Sequence, residues 1–182
     1  MCSSDLYGID LRLPGMVYAT VRTNPRLGGG MKSYDAAEAQ KARGVLKVVP
    51  VTGGAGVIAD NTWRAFKAAE LIKFDWGAAP YPPTTAAMFE MAAGCFTDRH
   101  RDSRFKDEGN VEAALKTGKP LEAQYTVPYL AHAPLEPMNA VVQLKDGRLD
   151  IWTGTQIPVF IVRLSARMTG LSSDNIRLHA QY

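Results

Sequence analysis

The amino-acid sequence predicts a mixed α/β fold of the α+β type, in which short strands and short helices are layered on one another. Hydrophobic residues make up 46% of the chain and charged residues 21%, which is the balance of a protein with a buried core. Runs of β-branched and aromatic residues alternate with segments whose apolar residues recur at helical spacing. Turns that contain glycine and proline separate these runs.

The first block, residues 7–77, has the predicted order β-α-β-β-α-β. Its strands are expected at Met16–Val21, Val45–Val51, Val57–Ala59 and Ile72–Trp76. One helix is expected from capping residues at Ser33–Asp35 to Ala42, with Gly44 behind it in the left-handed region. The residues Asp60–Thr62 offer caps for the second helix. The apolar side of that helix is expected to carry Trp63, Phe66 and Ala69.

Residues 78–120 are expected to form a linker and helices. The linker starts in the stretch Gly77–Pro83, which contains three prolines and breaks the preceding pattern. The remaining expected elements are a helix from Thr84, a charged surface loop over Thr97–Asp107 and a short helix over Val111–Lys116.

The second block, residues 121–182, is expected to open with a strand over Ala123–Tyr129. Asp146 and Gly147 then form a strong two-residue hairpin signal, because both turn positions need a positive φ. That turn predicts two cross-strand pairs on one face of the sheet, Leu144 with Leu149 and Val142 with Ile151.

A helix and a strand complete this block. The helix has Pro158 in its first turn and Gly170 at its end. Its apolar stripe is expected at Ile157, Ile161, Leu164 and Met168. The last strand is expected over Ile176–Tyr182.

Composition argues against several classes of function. The formal net charge is only +3 and no run of like charges occurs, so neither nucleic acid nor a membrane surface is an expected partner. No apolar run approaches the roughly 18 residues that span a bilayer. Two cysteines, Cys2 and Cys95, form no disulfide framework. The segment Met1–Leu6 has no hydrophobic period and is expected to be non-native.

The common catalytic and metal-binding motifs are absent from the sequence. The Gly28–Gly30 loop lacks a lysine directly after its last glycine, and Gly53–Gly56 lacks dinucleotide-binding spacing, so both are expected to be turns. Three histidines lie far apart, which disfavours a zinc site. No nucleophile elbow occurs, and the hydroxyl groups of Ser172–Asp174 are expected to cap a turn.

The stretch Val127–Asn139 is unusual because it places three prolines, a histidine and a glutamate between two predicted strands. Its prolines cannot donate ladder hydrogen bonds, which predicts a stiff, irregular crossing. His132 and Glu136 either fix the backbone of this loop or take part directly in a site, and the sequence leaves both open.

The segment Trp152–Gln156 lies where a strand is followed by the amphipathic helix. Polar groups at the carboxyl end of a strand, beside a helix N-terminus, are well placed to meet an anionic ligand. Gln156 could donate its amide N–H to an oxo group there. The alternative is that Thr155 or Gln156 caps the helix.

These stretches also carry a resemblance to a known family. Tyr129–Asn139 and Ile151–Gln156 resemble the first segment of the molybdenum-binding domain in isoquinoline 1-oxidoreductase β-type subunits, of the xanthine dehydrogenase and aldehyde oxidase family. Upstream, Tyr7–Ala19, Gly44 with Val45, and Gly56–Trp63 resemble that family's α/β hammerhead domain. The resemblance covers nearly the whole chain from Tyr7.

The resemblance implies an oxidoreductase that hydroxylates N-heterocycles or aldehydes with oxygen from water. It implies a molybdenum–molybdopterin cofactor, in the cytosine dinucleotide form, and a partner subunit with a [2Fe-2S] centre. It gives Gln156 the role of cofactor binding through the oxo ligand of molybdenum. It assigns this chain no catalytic residue and no direct metal ligand, and His132 and Glu136 are expected to be scaffold.

By the same resemblance, the chain is expected to be an N-terminal fragment. Residues 7–77 would be the hammerhead domain and residues 121–182 the start of the molybdopterin-binding domain. The family's glycine-rich G-G-G-F-G loop and its catalytic glutamate match no segment here, so the chain alone is expected to be inactive. The alternative is a non-catalytic α/β binding or assembly module.

Overall fold

The computed structural model describes residues 7–100, 106 and 108–181. They fall into two compact units. One comprises residues 17–130. The other, here the terminal unit, combines residues 7–16 with residues 131–181. The predicted mixed α/β class is confirmed.

The 17–130 unit contains five strands and four α-helices among its described residues. The strands are β1 (Tyr18–Thr23), β2 (Met31–Asp35), β3 (Val45–Val51), β4 (Gly54–Ala59) and β5 (Lys73–Trp76). The helices are α1 (Ala37–Lys41), α2 (Thr62–Glu70), α3 (Thr85–Ala93) and α4 (Val111–Thr117). An antiparallel sheet has the order β1-β4-β3, and β2 pairs antiparallel with β5.

Strand β2 was missed by the sequence prediction, which began a helix within its range. Its pairing with β5 is non-local, so no short pattern indicates it. Asp35 nevertheless caps the next turn as expected, because its Oδ1 accepts from the backbone N–H of Ala37 at 2.9 Å. Gly44 has the predicted positive φ, +80°, directly before β3.

Helix α2 is capped as predicted, but its buried side differs. The Oδ1 atom of Asn61 accepts from the backbone N–H of Arg64 at 2.9 Å. The side chains that α2 buries are Ala65, Ala68 and Ala69, whereas Trp63 is 68% exposed. Small side chains let a helix approach a sheet closely, and here Ala68 and Ala69 pack in the same cluster as Val57 and Ala55 of β4. The expectation for Trp63 and Phe66 was therefore wrong.

The predicted strand over Ala123–Tyr129 is also wrong. These residues have no regular secondary structure, and Tyr125 is 88% exposed. A strand needs a hydrogen-bonded neighbour, and no described strand pairs with this segment. Part of the predicted loop Thr97–Asp107 lies outside the described residues.

The terminal unit is a three-stranded sheet with one α-helix packed against it. Its elements are β6 (Val141–Lys145), β7 (Arg148–Gly154), α5 (Pro158–Thr169) and β8 (Ile176–Gln181). The order is β6-β7-β8, with β6 antiparallel and β8 parallel to β7. The predicted hairpin register is confirmed, and Asp146 and Gly147 have φ values of +50° and +74°.

Helix α5 packs through a different stripe from the predicted one. Its side chains in the core are Ile161, Val162 and Ala166, which contact the cluster of Leu149, Ile151 and Ile176. Of the predicted stripe only Ile161 packs there, and Met168 is 78% exposed. The helix is apolar on two sides, and its sequence does not state which side faces the sheet. Across the part of the chain that the structure describes, no helix is long and apolar enough to cross a membrane.

We predict that Gly54→Ala strongly destabilises the 17–130 unit. A Cβ at position 54 would lie 1.9 Å from the carbonyl oxygen of Arg22 in the neighbouring strand β1. The strands would have to separate, so the free energy of unfolding should fall by about 3 kcal/mol. Urea unfolding of the purified chain measures this.

The matched control is Gly30→Ala, because a Cβ at that position meets no atom within 4 Å. If Gly54→Ala and Gly30→Ala lower the free energy of unfolding equally, the packing argument is contradicted.

Candidate functional site

Gln156 lies in the short connection between the end of β7 and the start of α5. Strands β7 and β8 run parallel, and Gly154 pairs with Gln181, so both strands end at the same edge of the sheet. The side chain of Gln156 is exposed and donates no hydrogen bond to any other described residue. Its amide therefore has no hydrogen-bond partner among the described residues.

The start of α5 is held by Thr155 and not by Gln156. The Oγ1 atom of Thr155 accepts from the backbone N–H of Ile157 at 3.1 Å. Ile157, the residue before the helix, provides no side-chain cap. Neither of the two residues that the sequence offered as caps is the N-cap of α5; Thr155 instead closes a turn directly before the helix.

Glu136 is tied to a turn more than a hundred residues away in sequence. Its Oε1 atom accepts from the backbone N–H of Ile9 at 3.2 Å and from Nδ2 of Asn139 at 2.7 Å. His132 is exposed and forms no hydrogen bond with Glu136 in the described structure. The scaffold interpretation of Glu136 is supported, but its partner is Asn139 rather than His132.

Asn139 donates a second hydrogen bond within the terminal unit. Its Nδ2 group also donates to the carbonyl oxygen of Pro137 at 2.8 Å. Its Oδ1 atom is buried and accepts from no described residue. That oxygen lies against Gly8, where an added Cβ would be only 2.5 Å away. Gly8 is itself buried, in a 3-10 turn over Gly8–Asp10.

A second polar cluster lies on the sheet face opposite α5, and the sequence analysis did not find it. Nε2 of His179 lies 2.8 Å from Oδ1 of Asp150. The imidazole also stacks on Trp152, with centroids 4.6 Å apart and planes 9° apart. The parallel register brings Trp152 opposite His179, so only the β7–β8 pairing could have indicated the cluster. The side chains of His179 and Asp150 are partly exposed to solvent. Their interaction therefore contributes about 1 kcal/mol at most to the free energy of unfolding.

The other candidate motifs have structural roles. The N–H of Gly29 donates to the carbonyl oxygen of Arg26 at 3.0 Å, so the Gly28–Gly30 loop contains a turn that leads into β2. Ser172 caps a 3-10 turn through the backbone N–H of Asp174. Among the described residues, no group of three His, Cys, Asp or Glu side chains could hold a metal ion.

Comparison with known proteins shows similarity to molybdopterin-binding proteins. Residues 96–182 match the family model "Molybdopterin cofactor-binding domain". The fold resembles quinoline 2-oxidoreductase from Pseudomonas putida 86, with a TM-score of 0.70 and 19% identity. That alignment covers 96% of this chain and 28% of the other.

Two curated relatives are similar to this chain in sequence, and both are subunits of larger proteins. The chain is 27% identical to the β subunit of isoquinoline 1-oxidoreductase from Brevundimonas diminuta, over 95% of this chain and 23% of the relative. It is 26% identical to a subunit of nicotinate dehydrogenase from Pseudomonas putida, over 84% of this chain and 13% of the relative. The chain thus spans about a quarter or less of the length of these relatives.

The chain is accordingly similar to the isoquinoline 1-oxidoreductase β subunit over most of its length, and residues 96–182 match a molybdopterin cofactor-binding domain. Its similarity to the isoquinoline 1-oxidoreductase β chain, predicted from the motifs, is confirmed.

We predict that Gly8→Ala destabilises the terminal unit through Asn139. The new methyl group would collide with Oδ1 of Asn139, whose amide is held in place by Glu136. The expected loss is about 2 kcal/mol in the free energy of unfolding, measured by urea titration.

The double variant Gly8→Ala with Asn139→Ala provides the control. Removing the amide removes the collision, so the double variant should be no less stable than Asn139→Ala alone. If the double variant loses as much free energy of unfolding as the two single variants together, this explanation is refuted.

Proposed function

We propose that this chain forms part of the molybdenum-binding subunit of an oxidoreductase, and that Gln156 contributes to cofactor binding. The observation that carries the proposal is the uncommitted amide of Gln156 at the shared end of β7 and β8, directly before α5. A side-chain amide held at a strand end, beside a helix N-terminus, suits a ligand that carries negative charge.

The chemistry of this donor fits the cofactor that the family implies. A neutral amide N–H can hydrogen-bond an oxo ligand without bringing a like charge near the metal, and it needs no change of protonation. Hydrogen-bond donors around a metal's ligands orient those ligands and adjust their charge. When bound, the molybdenum cofactor would supply redox chemistry that adds an oxygen atom derived from water to the substrate.

The remaining residues of the site have supporting roles in this proposal. Thr155 holds the start of α5, which leaves the Gln156 amide free. Trp152 stacks on His179 and fills the opposite face of the sheet, so neither is expected to reach the ligand. This chain contributes no proposed catalytic base.

The proposed substrates are N-heterocycles or aldehydes. Relatives with these activities in their names support this class, namely isoquinoline 1-oxidoreductase, nicotinate dehydrogenase and a membrane-bound aldehyde dehydrogenase. We further propose the cytosine dinucleotide form of molybdopterin and a [2Fe-2S] partner subunit that removes electrons.

The competing function is a non-catalytic α/β binding or assembly module. The coding sequence beyond Tyr182 discriminates between the two. A continuing frame that encodes a G-G-G-F-G loop supports the oxidoreductase subunit, and a stop codon directly after Tyr182 supports the module.

We predict that the 182-residue chain alone has no oxidoreductase activity and retains no molybdenum. A single strand-end amide offers too few contacts to hold a large anionic cofactor. The measurement is metal analysis after incubation with extracted molybdenum cofactor and gel filtration. One molybdenum atom per chain would overturn the prediction.

We predict that Gln156→Ala impairs a functional subunit. A hybrid of the Brevundimonas diminuta β chain, with its matching segment replaced by this chain, offers the assay. Loss of one preorganised donor should lower the rate by roughly 100-fold or more and reduce molybdenum retention.

The matched control is Gln143→Ala, since Gln143 lies in β6 away from the strand end. Equal molybdenum content and rate in the Gln156→Ala and parent hybrids would remove Gln156 from the site.

A further inference from the structure

The exposed amide of Gln156 is useful as a ligand only if the backbone around it is held in place. On its α5 side, Thr155 accepts from the N–H of Ile157. On its β7 side, the Oγ1 atom of Thr153 donates to the backbone carbonyl oxygen of Asn139 at 2.8 Å. Asn139 precedes β6 by two residues, so this bond joins the ends of two neighbouring strands.

Asn139 is held in turn by Glu136. The Asn139–Glu136 bond is short, at 2.7 Å, and it involves a carboxylate, which makes it stronger than a bond between neutral groups. The same carboxylate oxygen accepts from the N–H of Ile9. A continuous series of hydrogen bonds therefore runs from the turn at Gly8–Asp10, through Glu136 and Asn139, to Thr153.

The packing around Gly8 leads to the same strand ends. A Cβ on Gly8 would lie 2.5 Å from Oδ1 of Asn139 and 3.8 Å from Cγ of Gln181. Gln181 pairs with Gly154, the last residue of β7. The turn thus lies directly against the strand ends from which the Gln156 connection departs.

We propose that Glu136 and Asn139 are positioning residues that fix the end of β7 and thereby direct the Gln156 side chain. Neither residue touches the ligand in this proposal. Their functional importance rests on the proposed role of Gln156, whereas their effect on the backbone is measurable without any cofactor.

The test is amide hydrogen exchange of the purified chain, followed by nuclear magnetic resonance. In Asn139→Ala, exchange at positions 154–157 should rise about tenfold, because the backbone carbonyl that accepts from Thr153 is no longer held in place by the Asn139–Glu136 bond. Exchange at Ile151, in the centre of β7, should change less than twofold. A uniform rise across β7, or no rise at 154–157, would overturn the proposal.

The matched control is Asn24→Ala. The amide of Asn24 also joins two backbone carbonyl groups, those of Gly30 and Gly77, but in the 17–130 unit. Its loss should leave exchange at positions 154–157 unchanged. A rise there equal to that in Asn139→Ala would show a general loss of stability instead.

A pair of substitutions that reverses the donor and the acceptor distinguishes a positioning role from simple structural support. Asn139→Asp places a second carboxylate against Glu136, so exchange at 154–157 should rise relative to the parent chain at the same pH. Adding Glu136→Gln restores a donor and an acceptor with reversed polarity, and should recover at least half of the effect on a logarithmic scale. An effect of Asn139→Asp that is independent of residue 136 would refute the coupling. If Asn139→Ala does not fold, Glu136→Gln alone, with about a threefold rise, provides the same test.

The positioning role and the proposed function can fail separately. If Gln156→Ala leaves molybdenum retention in the hybrid unchanged while Asn139→Ala still loosens positions 154–157, the role of Gln156 in cofactor binding fails and the tether stands. If Gln156→Ala reduces retention but Asn139→Ala leaves positions 154–157 unchanged, the positioning role fails and the cofactor role stands.

Discussion

The parallel pairing of β7 with β8 is the constraint on which the terminal unit depends. Two parallel strands cannot be joined by a tight turn, so the chain must cross over through α5. That crossover buries Leu149, Ile151 and Ile176 beneath the helix. It also brings both strand ends to one edge of the sheet, where the connection that contains Gln156 begins. The location of the candidate site is therefore a consequence of the topology.

A small cluster of hydrogen-bonded polar residues stabilises the edge of the sheet at which β7 ends. Glu136, Asn139 and Thr153 are joined by hydrogen bonds that also reach the turn near the start of the described chain. Buried or partly buried polar groups are costly unless they are satisfied, so such a cluster favours one arrangement of the backbone. The unsatisfied Oδ1 atom of Asn139 is its one orphaned acceptor within the described residues. A rigid strand end is what a ligand-binding amide requires.

In the function proposed above, this chain contributes a residue that binds the cofactor. Among the described residues, no group of three His, Cys, Asp or Glu side chains could hold a metal ion, and the imidazole of the one close His–Asp pair stacks against Trp152 on a face of the sheet. A hydrogen-bond donor at a strand end can orient a cofactor's ligand but cannot supply electrons or a base.

The sequence by itself determined the elements whose signals are local. Asp146 and Gly147 specified the hairpin and its register because few residues tolerate two consecutive positive φ values. The capping residues Asp60–Thr62 indicated the start of α2, and the structure shows that Asn61 is the cap. The family motifs likewise lie within short stretches. Only the tertiary structure decided which side of α5 is buried, that β2 is a strand, and that Asp150 meets His179. Those features depend on partners distant in sequence, and a local pattern contains no information about a partner that only folding brings near.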